Sequence, residues 1–134
     1  MLDIVKSKKN LMFKVLLVED IKVNQMVFIG MLNSFGFDVD VADNGEQGVE
    51  MWKPGKYDAV FMDIQMPVLN GLEAARRIRA VEKGEAHTLI IALTANAFSD
   101  DRKACMDVGM DAFLTKPVDI NELKETLAVC LQSV

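Results

Sequence analysis

Short apolar segments alternate with longer segments of helical character along this chain. Residues 15–18, 59–62 and 89–93 are wholly apolar, and each segment is too short to be a buried helix. Segments of this length and composition are typical of strands that are covered on both faces in a parallel sheet. Because helical segments lie between them, crossover connections must join the strands. The pattern therefore predicts an α/β fold with helices on both faces of a mostly parallel sheet.

Two further segments complete the predicted sheet. Residues 37–41 alternate between apolar and acidic side chains, which predicts a second strand that is exposed on one face or lies at an edge. Residues 112–115 follow Gly109, which stands where a helix would end, and they predict a short fifth strand. We therefore expect five strands and five helices. The residues that favour helix starts are Asn44, Ser99 and Asp119, and those that favour helix ends are Gly36, Pro54 and Gly109.

Length and composition are those of one soluble domain. The 134 residues are 51% hydrophobic and 26% charged, which supplies one core and a solvated surface. The net charge of -5 disfavours direct contact with nucleic acid or with an anionic membrane. The two cysteines lack metal-ligand spacing and fit a reducing, cytoplasmic location. We expect a tail or linker at residues 1–11 and one domain at residues 12–134, without a targeting or membrane segment.

Three acidic residues follow two of the predicted strands. Glu19 and Asp20 come after the first strand, and Asp63 comes after the third. Since ligands of doubly wound sheets bind at the carboxyl ends of the strands, we expect these carboxylates to lie together in the ligand crevice. Carboxylates at close range repel one another unless a cation compensates, and an all-oxygen site suits Mg²⁺ or Mn²⁺. An acidic residue after a strand can also mark only a polar loop, but three together with the residues below favour a metal site.

A hydroxyl and an ammonium group are expected at the same edge of the sheet. Thr94 ends the fourth strand, and Lys116 follows the fifth. A carboxylate that attacks a phosphoryl group needs positive charge around the phosphoryl oxygens, which the metal, Lys116 and the Thr94 hydroxyl would supply. Asp63 is followed by a loop, and this leaves a carboxylate oxygen free to act as the nucleophile. The residues thus predict phosphoryl transfer to Asp63.

Five short motifs follow one another along the chain in an order that resembles the receiver domains of two-component signalling. The resemblance extends over roughly residues 12–132, and within the family it is greatest to receiver domains of hybrid histidine kinases. It implies a flavodoxin-like, doubly wound parallel sheet of order 2-1-3-4-5 with five helices. The motifs are Glu19-Asp20, Asp63-Ile64-Gln65-Met66-Pro67, Gly71, Thr94-Ala95 and Lys116-Pro117.

The resemblance also implies a role for each matching residue near the acids. Asp63 would be the phosphoacceptor. Glu19, Asp20 and Asp63 would hold the metal together with the backbone carbonyl of Gln65. Lys116 would pair with the phosphoryl oxygens.

Further implied roles concern the conformational switch. Thr94 would move its hydroxyl onto the phosphoryl group, and Phe113 would rotate inward with it. Ala95, a small residue, would leave the site accessible. The bond between Lys116 and Pro117 would be cis.

The family implies a switch domain and not a turnover enzyme. Its donor would be a histidine kinase or a histidine phosphotransfer protein, and it would act as a monomer or as a phosphorylation-dependent dimer without binding a membrane by itself.

Two departures from the subgroup are Ile21, where Asn is common, and Asn70, where Asp is common. Because Val134 leaves no room for an output domain, we expect onward phosphotransfer or partner binding, either as an independent protein or as a segment of a larger one.

The first predicted helix, residues 23–35, is apolar nearly all round. One stripe holds Val23, Val27 and Gly30, a second holds Phe28, Leu32 and Phe35, and a single sheet-facing stripe cannot use both. We favour packing of the second stripe on the last helix. The alternative is a docking surface for a helical phosphotransfer protein, centred on Ile21 beside the acids.

Three other functions are compatible with such a fold. A phosphatase of the haloacid-dehalogenase type requires a second Asp two residues after the first, where this chain has Gln65. A flavin or nucleotide binder requires glycine or hydroxyl groups in the first loop, where this chain has Glu19 and Asp20. A degenerate receiver that serves only as a binding or dimerising module usually lacks an acid, the lysine or the acceptor, and this chain retains all of them.

Overall fold

A computed structural model describes residues 13–66, 68–82, 87–95 and 99–132. Five strands lie in this part of the chain, and all adjacent pairs are parallel. The strands are β1 (Lys14–Val18), β2 (Asp38–Ala42), β3 (Ala59–Asp63), β4 (Leu89–Thr94) and β5 (Ala112–Thr115). Their order is β2-β1-β3-β4-β5, which confirms the predicted topology and places β2 at an edge. The predicted tail at residues 1–11 lies outside the described residues.

Helices cover both faces of the sheet, as predicted. One core cluster joins the sheet to α1 and α5, and the other joins the opposite face to α3 and α4. Neighbouring strand residues alternate between the clusters, so that Phe61 belongs to one and Met62 to the other. The helices are α1 (Lys22–Ser34), α2 (Gly45–Met51), α3 (Gly71–Glu82), α4 (Ser99–Asp107) and α5 (Ile120–Gln132).

Within the described ranges, no helix combines the length and the apolar character that a membrane span requires.

The helix ends are stabilised by the predicted capping residues. The Asn44 side chain accepts a hydrogen bond of 2.8 Å from the backbone N–H of Gln47 at the start of α2. The Asp119 carboxylate accepts one of 3.1 Å from the backbone N–H of Glu122 in α5. After α4, Gly109 adopts a positive φ of 92°, which favours glycine. Local sequence thus determines where these helices begin and end.

The two apolar stripes of α1 differ in burial. Phe28 and Leu32 are buried in the core cluster that includes Leu123 of α5. The second stripe thus shares a core cluster with the last helix, as expected, whereas Val23 and Val27 of the other stripe are 67% and 55% exposed. The physical reason is that α1 and α5 both lie on the same face of the sheet, and one stripe of α1 is enough to fill the space between them.

An ion-pair network lies at the start of β4, at the amino end of the strand. Arg79 Nη2 lies 2.8 Å from Asp111 Oδ2, and Arg79 Nη1 lies 2.7 Å from Glu82 Oε1. His87 Nε2, in the loop before β4, lies 2.6 Å from Asp111 Oδ1. This network fastens α3 to the sheet, away from the carboxyl ends of the strands.

Candidate functional site

The three predicted acids meet at the carboxyl ends of β1 and β3. These strands are neighbours, with Val18 paired to Met62, so the residues that follow them lie side by side. One carboxylate oxygen from each of Glu19, Asp20 and Asp63 lies within 4.8 Å of the others. Glu19 and Asp63 are only 1% and 3% exposed. Burial of like charges at this separation requires positive charge nearby.

Lys116 supplies part of that positive charge. Its Nζ donates to Glu19 Oε1 at 2.7 Å and to Asp63 Oδ2 at 2.8 Å. Burial alone lowers the pKa of Lys116, but hydrogen bonds to Asp63 and Glu19 and their negative charge outweigh burial and raise it. The Lys116-Pro117 bond is cis, which confirms the expectation from the resemblance. The lysine therefore stays charged between two acids at neutral pH.

Backbone amides fix the other carboxylate oxygens. Asp63 Oδ1 accepts a hydrogen bond of 2.9 Å from the N–H of Gln65, and Glu19 Oε2 accepts one of 3.0 Å from the N–H of Ile21. Each acid is thereby oriented by the loop that follows it. Ligation of a metal by the carbonyl of Gln65 stays a prediction.

The donor set fits a divalent cation. Asp20 Oδ1 is buried and has no hydrogen-bond partner among the described residues. No other buried side-chain oxygen or nitrogen in this part of the chain lacks a partner. An orphaned buried carboxylate oxygen is costly, and a bound cation would satisfy it. Within the same part of the chain, Glu19, Asp20 and Asp63 form the group of acids able to hold a metal. Carboxylate oxygens favour Mg²⁺ or Mn²⁺.

Gln25 is a site residue that the sequence interpretation missed. It is buried, and its Nε2 donates to the backbone carbonyl of Glu19 at 2.6 Å and to Asp43 Oδ1 at 2.9 Å. Hydrogen bonds from Gln25 and Lys22, with the charge of Lys22, lower the pKa of Asp43. Gln25 thus ties the acidic loop to the end of β2. Its one sequence signal is a polar residue within the apolar pattern of the first helix.

The two predicted switch residues both contact α4. Thr94 is fully buried at the end of β4, and its hydroxyl donates to Asp101 Oδ2 at 3.3 Å. Phe113 on β5 is half-buried, and the Arg102 guanidinium lies 4.5 Å from the centre of its ring. Ala95 is exposed at the end of β4, and its role in leaving the site accessible stays a prediction. Asp101 and Arg102 could not be identified from the sequence as partners of the two switch residues.

Lys116→Met is expected to lower the free energy of unfolding of the metal-free protein by about 2 kcal/mol. The reason is that Glu19 and Asp63 would stay buried without their cation. Mg²⁺ is expected to bind the variant more tightly, because a competing positive charge is gone. Urea denaturation with and without Mg²⁺ measures both effects.

Lys22→Met is the matched control. Lys22 lies 3.3 Å from Asp43, but the two side chains are 76% and 55% exposed, and such surface pairs contribute little to stability. Equal losses of stability in the two variants would contradict the assignment of Lys116 to a buried charge cluster.

The contribution of Lys116 to stability is expected to fall at high pH. Because its pKa is raised by folding, this contribution is fully present below the ordinary lysine value of 10.5 and is lost as pH rises through the higher folded value. The difference in unfolding free energy between wild type and Lys116→Met should therefore be constant around neutral pH and shrink in strongly alkaline buffer. Denaturation curves across this range test the direction, and a difference that grows with alkalinity would contradict it.

Two relatives are histidine kinases. The chain is 42% identical over 120 residues to hybrid signal transduction histidine kinase B of Dictyostelium discoideum, an overlap of 82% of this chain and 6% of the relative. It is 37% identical over 139 residues to histidine kinase 5 of Arabidopsis thaliana, and this match covers 85% of this chain and 15% of the relative. The chain thus spans between 6% and 15% of the length of these relatives.

Two solved structures share the fold and the sequence pattern. One is a chain in the co-crystal structure of the Saccharomyces cerevisiae histidine phosphotransfer signalling protein Ypd1 with the receiver domain of its downstream response regulator Ssk1. Its TM-score is 0.84 at 34% identity, with 92% of each chain covered. The other is the receiver domain of sensor histidine kinase PA1611 from Pseudomonas aeruginosa, with magnesium coordinated in its active-site cleft. Its TM-score is 0.81 at 43% identity, covering 91% of this chain and 99% of that chain.

The family model of the response regulator receiver domain matches residues 15–128, which include every residue of the acidic site. The strand order, the acids at the carboxyl ends of β1 and β3 and the lysine that bridges them agree with this match. The chain belongs to the response regulator receiver domain family and is a receiver domain of a phosphorelay.

Proposed function

We propose that Asp63 accepts a phosphoryl group from a phosphohistidine and that the chain is a switch domain without catalytic turnover of its own. The observation that carries this proposal is the environment of Asp63. Its carboxylate is buried, held by Lys116 and the Gln65 amide, and adjacent to two further acids. Such a carboxylate is fixed in place and retains lone pairs for attack on phosphorus.

The transfer step balances without another reagent. An Asp63 carboxylate oxygen forms a bond to phosphorus as the bond from phosphorus to the donor's histidine nitrogen breaks, and the leaving imidazole takes up a proton from solvent as needed to become neutral. Lys116 Nζ, now on Asp63 Oδ2, would neutralise a phosphoryl oxygen. The Thr94 hydroxyl would donate to another. Mg²⁺ or Mn²⁺, when held by Glu19, Asp20, Asp63 and the carbonyl of Gln65, supplies further positive charge to those oxygens.

The direct test is intact-mass spectrometry after incubation with acetyl phosphate and Mg²⁺. One adduct of about 80 Da is expected, the mass that a single phosphoryl group adds. It should be absent in the presence of a chelator and restored by Mn²⁺. Absence of an adduct on folded, Mg²⁺-loaded protein would contradict phosphoryl acceptance and would favour a module that only binds partners.

We infer that the phosphoryl donor docks on α1. Beside the acids, Ile21 is 50% exposed, and Met26 and Val27 of α1 are also exposed. A groove of about 190 Å³ runs from Glu19 and Lys116 along α1 to Val118. An exposed apolar surface next to a charged crevice suits a helical protein that must bring its histidine to Asp63. The co-crystal structure of Ypd1 with the Ssk1 receiver domain supports a phosphotransfer protein as donor.

Ile21→Glu is expected to slow phosphoryl transfer from phosphorylated Ypd1, used as the probe, about tenfold, the effect of losing an interface anchor. Phosphorylation by acetyl phosphate should be unchanged, because Ile21 contributes only its backbone N–H to the acidic site. Rapid-quench kinetics with each donor measure the two rates.

Val129→Glu provides the control, because Val129 is 68% exposed on α5. It should leave both rates unchanged. If Ile21→Glu slowed acetyl phosphate as much as Ypd1, the residue would act on the chemistry and not on docking.

The whole protein is proposed from its relatives. We infer that residues 12–134 are the receiver domain and residues 1–11 a tail or linker, in a cytoplasmic protein related to hybrid histidine kinases. Output would pass through the surface of α4, β5 and α5, by onward phosphotransfer or by a phosphorylation-dependent partner or dimer.

A further inference from the structure

We propose that Asp101 is a positioning residue that holds the Thr94 hydroxyl away from Asp63 until phosphorylation. Together with Arg102, which contacts Phe113, it forms what we call the α4 latch, defined as Asp101 and Arg102. The latch rests on the proposed function for its consequence, because phosphorylation of Asp63 is the event that opens it.

The first part of the latch is the hydrogen bond between β4 and α4. Thr94 is 0% exposed and pairs with Thr115 of β5, so its backbone is fixed by the sheet. Its hydroxyl donates to Asp101 Oδ2 at 3.3 Å, and Asp101 lies in the first turn of α4. A hydroxyl carries one proton and can make one such donation at a time. The Asp101 carboxylate and a phosphoryl group on Asp63 therefore compete for the same proton.

The second part is the contact between Arg102 and the other switch residue. The Arg102 guanidinium lies 4.5 Å from the centre of the Phe113 ring, within the range of a cation–π interaction. Phe113 is half-buried and packs against the core cluster on the α3 and α4 face. Because Asp101 and Arg102 are neighbours in one helix, a movement of α4 changes both contacts together.

These contacts make the start of α4 sensitive to phosphorylation. Donation of the Thr94 proton to a phosphoryl oxygen leaves Asp101 without that hydrogen bond and removes one of the contacts between α4 and the sheet. Cys105 of α4 is buried in the core cluster, whereas Met106 is 54% exposed. In the unphosphorylated protein the first turn of α4 is thus held by contacts with Thr94 and Phe113, and these contacts are lost when Asp63 is phosphorylated.

Kinetics of phosphorylation by acetyl phosphate test the competition. Asp101→Ala is expected to raise the rate constant about threefold to tenfold, the value of a typical side-chain hydrogen bond. Asp101→Asn keeps an oxygen acceptor but removes the same charge, and it should remain near wild type. Asp107→Ala, at a carboxylate of α4 that is 65% exposed, should also remain near wild type. In a Thr94→Val background, Asp101→Ala should have no further effect.

Two patterns of rates would overturn the latch. Equal acceleration in Asp101→Asn and Asp101→Ala would assign the effect to charge. Acceleration that persists with Thr94→Val would show that Asp101 acts independently of the hydroxyl.

Hydrogen exchange of the unphosphorylated protein tests the same contact without phosphoryl chemistry. Thr94→Val and Asp101→Ala should each speed exchange of α4 amides, and the double variant should exchange no faster than the faster single one. Additive effects, or unchanged exchange, would overturn the latch. If wild type accepts no phosphoryl group, the proposed function fails, while this measurement still decides whether the contact holds α4.

Discussion

Asp63→Asn is expected to abolish the phosphoryl adduct formed with Mg²⁺ and acetyl phosphate. The amide lacks the negative charge and the nucleophilic oxygen that attack on phosphorus requires. It also removes one of three acidic groups from the candidate metal site, so Mg²⁺ affinity should fall about tenfold or more. Intact mass and calorimetric titration with Mg²⁺ measure the two effects. The variant should fold, because Asn can still accept the hydrogen bond from the Gln65 amide.

Asp43→Asn is the matched control for that experiment. Asp43 is also an acid just after a strand, but it contacts Gln25 and Lys22 and lies outside the group of acids able to hold a metal. It should form the adduct like wild type. An adduct that survives in Asp63→Asn would assign the acceptor to another residue, and peptide mapping would identify which.

Gly71→Ala is expected to destabilise the protein by about 3 kcal/mol, at the upper end of the usual cost of overpacking. A Cβ at this position would lie 2.3 Å from the backbone oxygen of Asp63 and 2.8 Å from the Cα of Ile64. Both contacts are with backbone, which cannot rotate aside as a side chain can. The first turn of α3 must therefore move, or the end of β3 must move. Urea denaturation measures the loss.

Displacement of β3 should also slow phosphorylation, since the backbone atom that the new Cβ meets belongs to Asp63 itself. Gly30→Ala is the control, because a Cβ at Gly30 on the exposed side of α1 meets no atom of the described residues within 4 Å. That variant should gain about 0.5 to 1 kcal/mol from the better helix propensity of alanine. Similar changes in both variants would contradict a role for close packing at Gly71.

Much of the fold could be predicted because its signals are local. Each central strand is a short apolar segment, the edge strand alternates in residues 37–41, and Asn44 and Asp119 cap the helices that follow them. The proximity of Glu19 and Asp63 could also be predicted, since the carboxyl ends of neighbouring parallel strands share one edge. The flavodoxin-like strand order came from the family resemblance and not from periodicity.

Other features depend on how the elements pack. The exposure of Val23 and Val27 could not be predicted, because an apolar stripe does not state which neighbour is available to cover it. Nor could the partner of Thr94, since Asp101 reaches it only through the position of α4 against β4. The role of Gln25 has the same origin, because its two acceptors, Glu19 and Asp43, directly follow β1 and β2.

The sequence by itself determined the α/β class, the helix ends and the set of groups available for phosphoryl chemistry. Strand length, period and capping act over a few residues, and residue type sets the chemistry of each side chain. Only the tertiary structure decided how those groups are held. Lys116 bridges Glu19 and Asp63, Asp20 presents an oxygen without a partner among the described residues, and α4 contacts both switch residues. These distances depend on several helices and strands packing at once, which no local pattern encodes.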